Sequence, residues 1–237
     1  MRLARFAAPL LAAIALPLAA QTAPADRPWL DASLSPEARA ELLLKGMTLD
    51  EKIALMHGPM AVSFSRDVKI PEGAIGSAGY IAGNARLGIP ALQESDASLG
   101  VTNPQLVRGA GDMSTPLPSS LALAATFNPE IAFAGGGMVG AEARAKGINV
   151  MLAGGANLAR DPRNGRNFEY VGEDPLLAGT MAGEATRGIQ SAGVISTIKH
   201  YALNDQEQNR MTANSVIDEA AARESDLLAF QIAIERG

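Results

Sequence analysis

Four groups of residues in this sequence have types and spacings that chemistry uses. Asp96, in GIPALQESDASLG, stands just beyond an apolar run, where a strand would end and a carboxylate would meet a ligand. The competing reading is a turn or helix cap. The stretch NLARDPRNGRNFEYVGEDP sets Arg160, Arg163 and Arg166 against Asp161, Glu169, Glu173 and Asp174. Most of these carboxylates are expected to hold arginines in place, and Asp174-Pro175 to cap a helix. One arginine remains to turn its planar fork toward ligand hydroxyls. Lys199-His200 closes the apolar run of AGVISTIKHYALNDQE, placing a point cation and an imidazole at a strand's C-terminal end. A lone histidine is more often structural, but burying a lysine with neither partner nor ligand costs on the order of several kcal/mol. The pair is therefore the stronger signal. Last, Gly135-Gly136-Gly137-Met138-Val139-Gly140 satisfies G-x-G-x-x-G, which raises a nucleotide-dependent oxidoreductase as a rival reading. That fingerprint must follow a strand and open a helix. Here Asn128-Pro129 already starts the helix, so the glycines fall inside it and close helix packing is the competing explanation.

The elements that must position these residues alternate. Apolar stretches at Gly88–Leu92, Ile148–Leu152 and Val194–Ile198 read as strands, separated by helical patterns at Ile131–Lys146 and Leu176–Gln190. Short apolar runs joined by amphipathic helices indicate buried parallel strands with crossover helices. Upstream, residues 21–35 read as a linker, Ser35-Pro36-Glu37 opens a helix, and Thr48 with Glu51 forms a capping box. The glycine-rich GAIGSAGYIAG has room for a first short strand. The last element reads as one helix, capped by Asp218, with a stripe through Ala222, Leu227, Leu228, Ile232 and Ile234, ending at Gly237. About four βα units are visible, whereas a closed barrel needs eight strands and typically about 250 residues.

Composition narrows the partners. The 237 residues carry a net charge of −5 and no basic run, which gives no footprint for nucleic acid or for an anionic membrane surface. Cysteine is absent, excluding disulfides and thiolate chemistry, and the two histidines, His57 and His200, exclude a three-histidine zinc site. No metal and no organic cofactor is expected. The opening MRLARFAAPLLAAIALPLAAQTAPAD has two arginines, an apolar run broken by Pro9 and Pro17, and small residues around Ala20 and Ala25. This is the layout of a secretory signal peptide over residues 1–25, too short to span a bilayer. It implies export to the periplasm or medium, with no membrane attachment after cleavage.

LGIPALQESDASLGV, the stretch from FNPEIA through GAEARAKGINVMLAGGANLARDPRNGRNFEYVGEDP, AGVISTIKHYALNDQE and the closing AFQIAIERG, in this order, resemble the N-terminal domain of family 3 glycoside hydrolases, especially bacterial β-glucosidases. The resemblance implies an α/β fold, a partial (β/α)8 TIM-type barrel over residues 26–237 amounting to roughly the first half. It implies a β-glucoside as the carbohydrate substrate, with β-xylosidase or another exo-acting family 3 glycosidase as the alternative. Asp96, Arg166, Lys199 and His200 would then be substrate-binding residues. The catalytic pair would be an aspartate nucleophile in a later Ser-Asp motif and a general-acid glutamate. Both are expected beyond Gly237, leaving this chain with sugar-binding residues, half a sugar pocket and no chemical pair, expected to hydrolyse nothing and to fold poorly alone; Ser225-Asp226 reads as lying inside a helix. Two features depart from the pattern: Ala97-Ser98 replaces a frequent Gly-Pro, and the glycine run at 135–137 is unusually loose. The related β-N-acetylglucosaminidases carry an acid-base histidine in a loop after Lys-His; here that loop, YALNDQEQNR, has none.

Overall fold

The computed structural model describes residues 26–63, 69–76 and 78–237, so the leader expected at 1–25 lies outside the described residues. The chain divides into two compact units after Lys52. In the first, a 3-10 turn at Pro28–Leu30 buries Trp29, whose carbonyl accepts from Arg39 Nε at 2.7 Å. The Trp29 ring lies so close to Gly46 that an added Cβ would meet it at 3.0 Å. Of the linker read at residues 21–35, residues 21–25 lie outside the described residues, and within the rest Pro28–Leu30 forms this turn because the Trp29 ring finds cover. Helix α1 (Pro36–Gly46) starts as expected, with Ser35 Oγ accepting from Ala38 N at 3.2 Å. Thr48 and Glu51 cap each other's backbone N–H at the start of α2 (Leu49–Ala54).

The second unit is built on one sheet of β1 (Tyr80–Ile81), β2 (Leu92–Asp96), β3 (Val150–Gly155) and β4 (Ile195–Lys199), in that spatial order. The β1–β2 pair is antiparallel; β2–β3 and β3–β4 are parallel. Helix α3 (Ser120–Ala124) and the long α4 (Pro129–Ala145) connect β2 to β3, and α5 (Pro175–Ser191) connects β3 to β4. Parallel strands alternating with crossover helices are the repeating unit of a (β/α)8 barrel. Both long helices start where the sequence places them, at Asn128-Pro129 and Asp174-Pro175, with side-chain caps of 2.9 and 2.7 Å to the backbone N–H of Glu130 and Leu177.

Two expectations need correction. The strand expected at Gly88–Leu92 begins only at Leu92, because Ile89 is turned back into a bridge with Asn84 and Pro90 has no N–H for a ladder. The true strand, LQESD, hides behind polar residues: buried Gln93 accepts from Ile75 N at 3.0 Å and donates to Gly73 O at 2.8 Å. The closing helix is also two helices, α6 (Glu219–Glu224) and α7 (Asp226–Arg236). At the junction Ser225 leaves the helical region and its hydroxyl donates to Ala221 O at 2.6 Å. Asp226 is fully buried and pairs with Arg160, which fixes the start of α7 to the loop after β3.

Small residues bring the helices close. A Cβ on Gly136 would fall 2.0 Å from Ala185 O, one on Gly140 2.6 Å from Ile189 O, and one on Gly188 2.2 Å from Phe133 O. The glycine pattern at 135–140 is thus a packing surface between α4 and α5 inside a helix, without the strand-to-helix turn that dinucleotide binding needs. Val139, Ala143, Met151, Ala153 and Ile189 join sheet to helices, and a second cluster around Met181, Ala229 and Phe230 joins α5 to α7. A narrow apolar cavity of about 70 Å³ remains between sheet and helices, beside Gly135 and Ala153.

Candidate functional site

The parallel strands deliver their last residues to one end of the sheet. Asp96 ends β2, Lys199 ends β4, His200 follows it, and Arg166 lies in the loop that leaves β3. Between Asp96 and Lys199, β3 ends in Gly154-Gly155, and the register shifts between Leu152 and Gly155. A Cβ on Gly155 would come 2.3 Å from Glu169 O, so the missing side chain lets the 166–170 turn lie down over the strand end.

On that platform all four residues meet in two linked pairs. Lys199 Nζ lies 2.8 Å from Asp96 Oδ1; the lysine side chain is 14 % exposed and the aspartate 42 %. Arg166 Nη2 lies 2.8 Å from His200 Nε2. Glu169 joins the pairs: its Oε1 accepts from Arg166 Nε at 2.8 Å and its Oε2 stands 3.9 Å from Lys199 Nζ. Asn157, fully buried, fixes the His200 backbone from both sides, accepting from His200 N at 2.7 Å and donating to His200 O at 3.0 Å.

The hydrogen bonds define the state of the imidazole. Arg166 can only donate, so Nε2 is an acceptor and carries no proton. Tyr170 Oη donates to Asn204 O at 2.5 Å and stands 3.3 Å from His200 Nδ1, which Arg166 Nη2 also approaches at 3.2 Å. Facing a guanidinium that only donates, 2.8 Å from Nε2 and 3.2 Å from Nδ1, His200 is a neutral imidazole. Burial, then the Arg166 and Lys199 charges, push its pKa down to about 4, in agreement with that assignment. Burial pushes the Tyr170 phenol up, keeping it protonated. For Arg166, burial opposes the charge, but the Glu169 hydrogen bond and charge outweigh it and hold the pKa above its ordinary value.

Arg160 pairs with Asp226 and Arg163 with Asp161, so of the three arginines only Arg166 turns toward Asp96, Lys199 and His200. Asn157, Glu169 and Tyr170 were not singled out from the sequence as members of this cluster. The signal for Glu169 was its place three residues after Arg166, the reach of an ion pair within one turn; Asn157 and Tyr170 gave none. The cluster offers an open carboxylate, two aligned cationic donors and a neutral imidazole. That combination suits a ligand rich in hydroxyl groups, which both accept and donate. Among the described residues no group of metal-ligating side chains is gathered here.

Residues 64–237 match the sequence model described as the glycosyl hydrolase family 3 N terminal domain. Probable beta-glucosidase J of Aspergillus fumigatus is 36% identical over 193 residues, covering 81% of this chain and 20% of the relative. Probable beta-glucosidase K of the same species is 37% identical over 194 residues, covering 82% and 23%. Beta-glucosidase 3B from Thermotoga neapolitana, solved in complex with alpha-D-glucose, superposes with a TM-score of 0.76 at 36% identity, over 84% of this chain and 28% of that one. DesR, a beta-glucosidase from Streptomyces venezuelae solved with D-glucose, gives 0.69 at 34%, over 84% and 23%. The chain thus spans about a fifth of the length of the curated relatives it matches.

Proposed function

The chain belongs to the glycosyl hydrolase family 3 N-terminal domain family, and from that membership we propose that the whole protein hydrolyses terminal β-D-glucosyl residues from β-glucosides or short β-glucans with retention of configuration. The observation that carries the reading is the convergence of Asp96, Arg166, Lys199 and His200 at the strand ends, linked by contacts of 2.8 Å. In this reading Asp96 accepts from sugar hydroxyls on its open side, while Arg166 and Lys199 donate to others. His200, neutral, contributes shape and a polar edge without a charge. These residues bind and orient the glucosyl unit; none of them breaks the glycosidic bond. Retaining hydrolysis needs two carboxyl groups about 5–5.5 Å apart, one as nucleophile and one as acid. In the Ser225-Asp226 dipeptide, the carboxylate is fully buried on Arg160, so it is unsuited to attack a sugar.

The reading extends to location: residues 1–25 direct export and are removed, leaving a periplasmic or secreted protein. Finding the N-terminus of the exported protein between Gln21 and Asp26 by mass spectrometry supports this, and an intact Met1 in the cytoplasm contradicts it. For activity, nitrophenyl β-D-glucoside should be turned over by the whole protein, and by the 237-residue chain not at all. Turnover by the chain alone would mean that it carries a nucleophile which this reading does not assign. Failure of the whole protein on β-glucosides, alongside turnover of β-xylosides, would move the substrate to a pentose.

A further inference from the structure

Two cations buried side by side need compensation, and the cluster supplies it from an unexpected place. Arg166 is 6 % exposed and Lys199 14 %, while the carboxylate between them, Glu169, is 8 % exposed. Its Oε1 is taken by Arg166 at 2.8 Å; its Oε2 faces Lys199 at 3.9 Å and accepts from Ser98 Oγ at 3.4 Å. Asp96 balances Lys199 from the open side. Farther out, Glu207 reaches both Arg166 and Arg210 at 3.3 Å and is half exposed, and Asp205 accepts from Asn164 at 3.1 Å. Of the carboxylates around the two cations, Glu169 alone is buried and touches both.

We propose that Glu169, held between Arg166 and Lys199, is a specificity-determining residue that sets the site for a neutral sugar and against an anionic one. The inference rests on the sugar-binding reading and deepens it. With Glu169 ionised, both donors are aligned and already paid for electrostatically, so a neutral hydroxyl adds hydrogen bonds without bringing charge that must be matched. A uronate carboxylate or a sugar phosphate approaching the same donors would instead meet a buried negative charge behind them, where low effective dielectric makes like-charge repulsion strong. Alignment in advance also spares the ligand the entropy of ordering two long side chains.

The test uses the whole protein and its Glu169→Gln variant, which keeps volume and hydrogen-bonding reach but removes the charge. D-glucose and D-glucuronate serve as probes, with affinities from NMR titration. The unsubstituted protein should prefer glucose, and Glu169→Gln should raise the glucuronate-to-glucose affinity ratio about tenfold. Glu235→Gln, which removes a charge on α7 where Gln231 is its partner at 2.9 Å, should leave the ratio unchanged. A folded Glu169→Gln protein with an unchanged ratio would reduce Glu169 to a structural residue and overturn the proposal. If Glu169→Gln does not fold, Glu169→Asp retains the charge and should keep the preference for glucose even with weaker binding; loss of the preference there overturns it equally. Should the unsubstituted protein bind neither sugar, the sugar-binding reading itself fails, a result distinct from an unchanged ratio.

Discussion

Asp96 and Lys199 are separated by 103 residues of chain yet meet at 2.8 Å, across a strand end made of two glycines. The pair is asymmetric, since Lys199 is the more buried partner. Removing one member of a pair weakens the compensation of the other, at a cost that grows with burial, and without Asp96 the buried Lys199 keeps Glu169 at 3.9 Å. Asp96→Ala should therefore destabilise the fold by about 1–3 kcal/mol, and Lys199→Ala by less, since the aspartate left behind can be solvated. Urea unfolding of the two variants measures the difference, and equal losses would argue against the burial difference seen here.

Two adjacent glycines in α4 should respond in opposite ways. At Gly135 an added methyl meets nothing within 4 Å, so Gly135→Ala should stabilise by about 0.5–1 kcal/mol through helix propensity. At Gly136 the same methyl would sit 2.0 Å from Ala185 O, and Gly136→Ala should cost about 1–3 kcal/mol by forcing α4 from α5. Thermal melts of both variants decide it; stabilisation at both positions would show that the helices are not in close contact.

The neutral His200 makes an acid-sensitive contribution. Its pKa falls from 6.5 to about 4 on folding, so between those values the unfolded chain binds more protons than the folded one. The contribution is present in full above pH 6.5 and is lost as the pH falls toward 4. Discounted for partial exposure, it amounts to about 2 kcal/mol. Replacing His200 with Asn should flatten the stability curve over that window. A curve parallel to that of the unsubstituted chain would mean that His200 is not held neutral.

The parts legible in the sequence were those governed by local rules. Helix starts at Ser35, Thr48, Asn128 and Asp174 follow from capping chemistry that needs only neighbouring residues. The strand carrying Met151 was recognisable because it is mostly buried, which leaves a continuous apolar run, and the strand carrying Ile198 by its apolar residues although none of its positions is fully buried. The strand ending at Asp96 was misplaced because its buried positions are Gln93 and Ser95, polar side chains satisfied by backbone groups distant in sequence. The break at Ser225 was hidden for the same reason: Asp226 finds its partner 66 residues away, at Arg160. Within the cluster, charged residues at strand ends were visible as types, but the link through Glu169 depends on Gly155 letting a turn settle over β3. Tertiary contact of that kind has no local signature.

The central claim is that Asp96, Arg166, Lys199 and His200 form one sugar-binding site. Titration of the isotopically labelled whole protein with D-glucose, followed by two-dimensional NMR, tests it most directly. The account predicts saturable shifts confined to the neighbourhoods of Asp96, Asn157, Arg166 to Tyr170 and Lys199 to Asn204, and an affinity at least about tenfold weaker in Asp96→Asn, where an ionised acceptor for sugar hydroxyls is lost. Shifts centred elsewhere, or an Asp96→Asn protein that binds glucose as well as the unsubstituted protein, would contradict it.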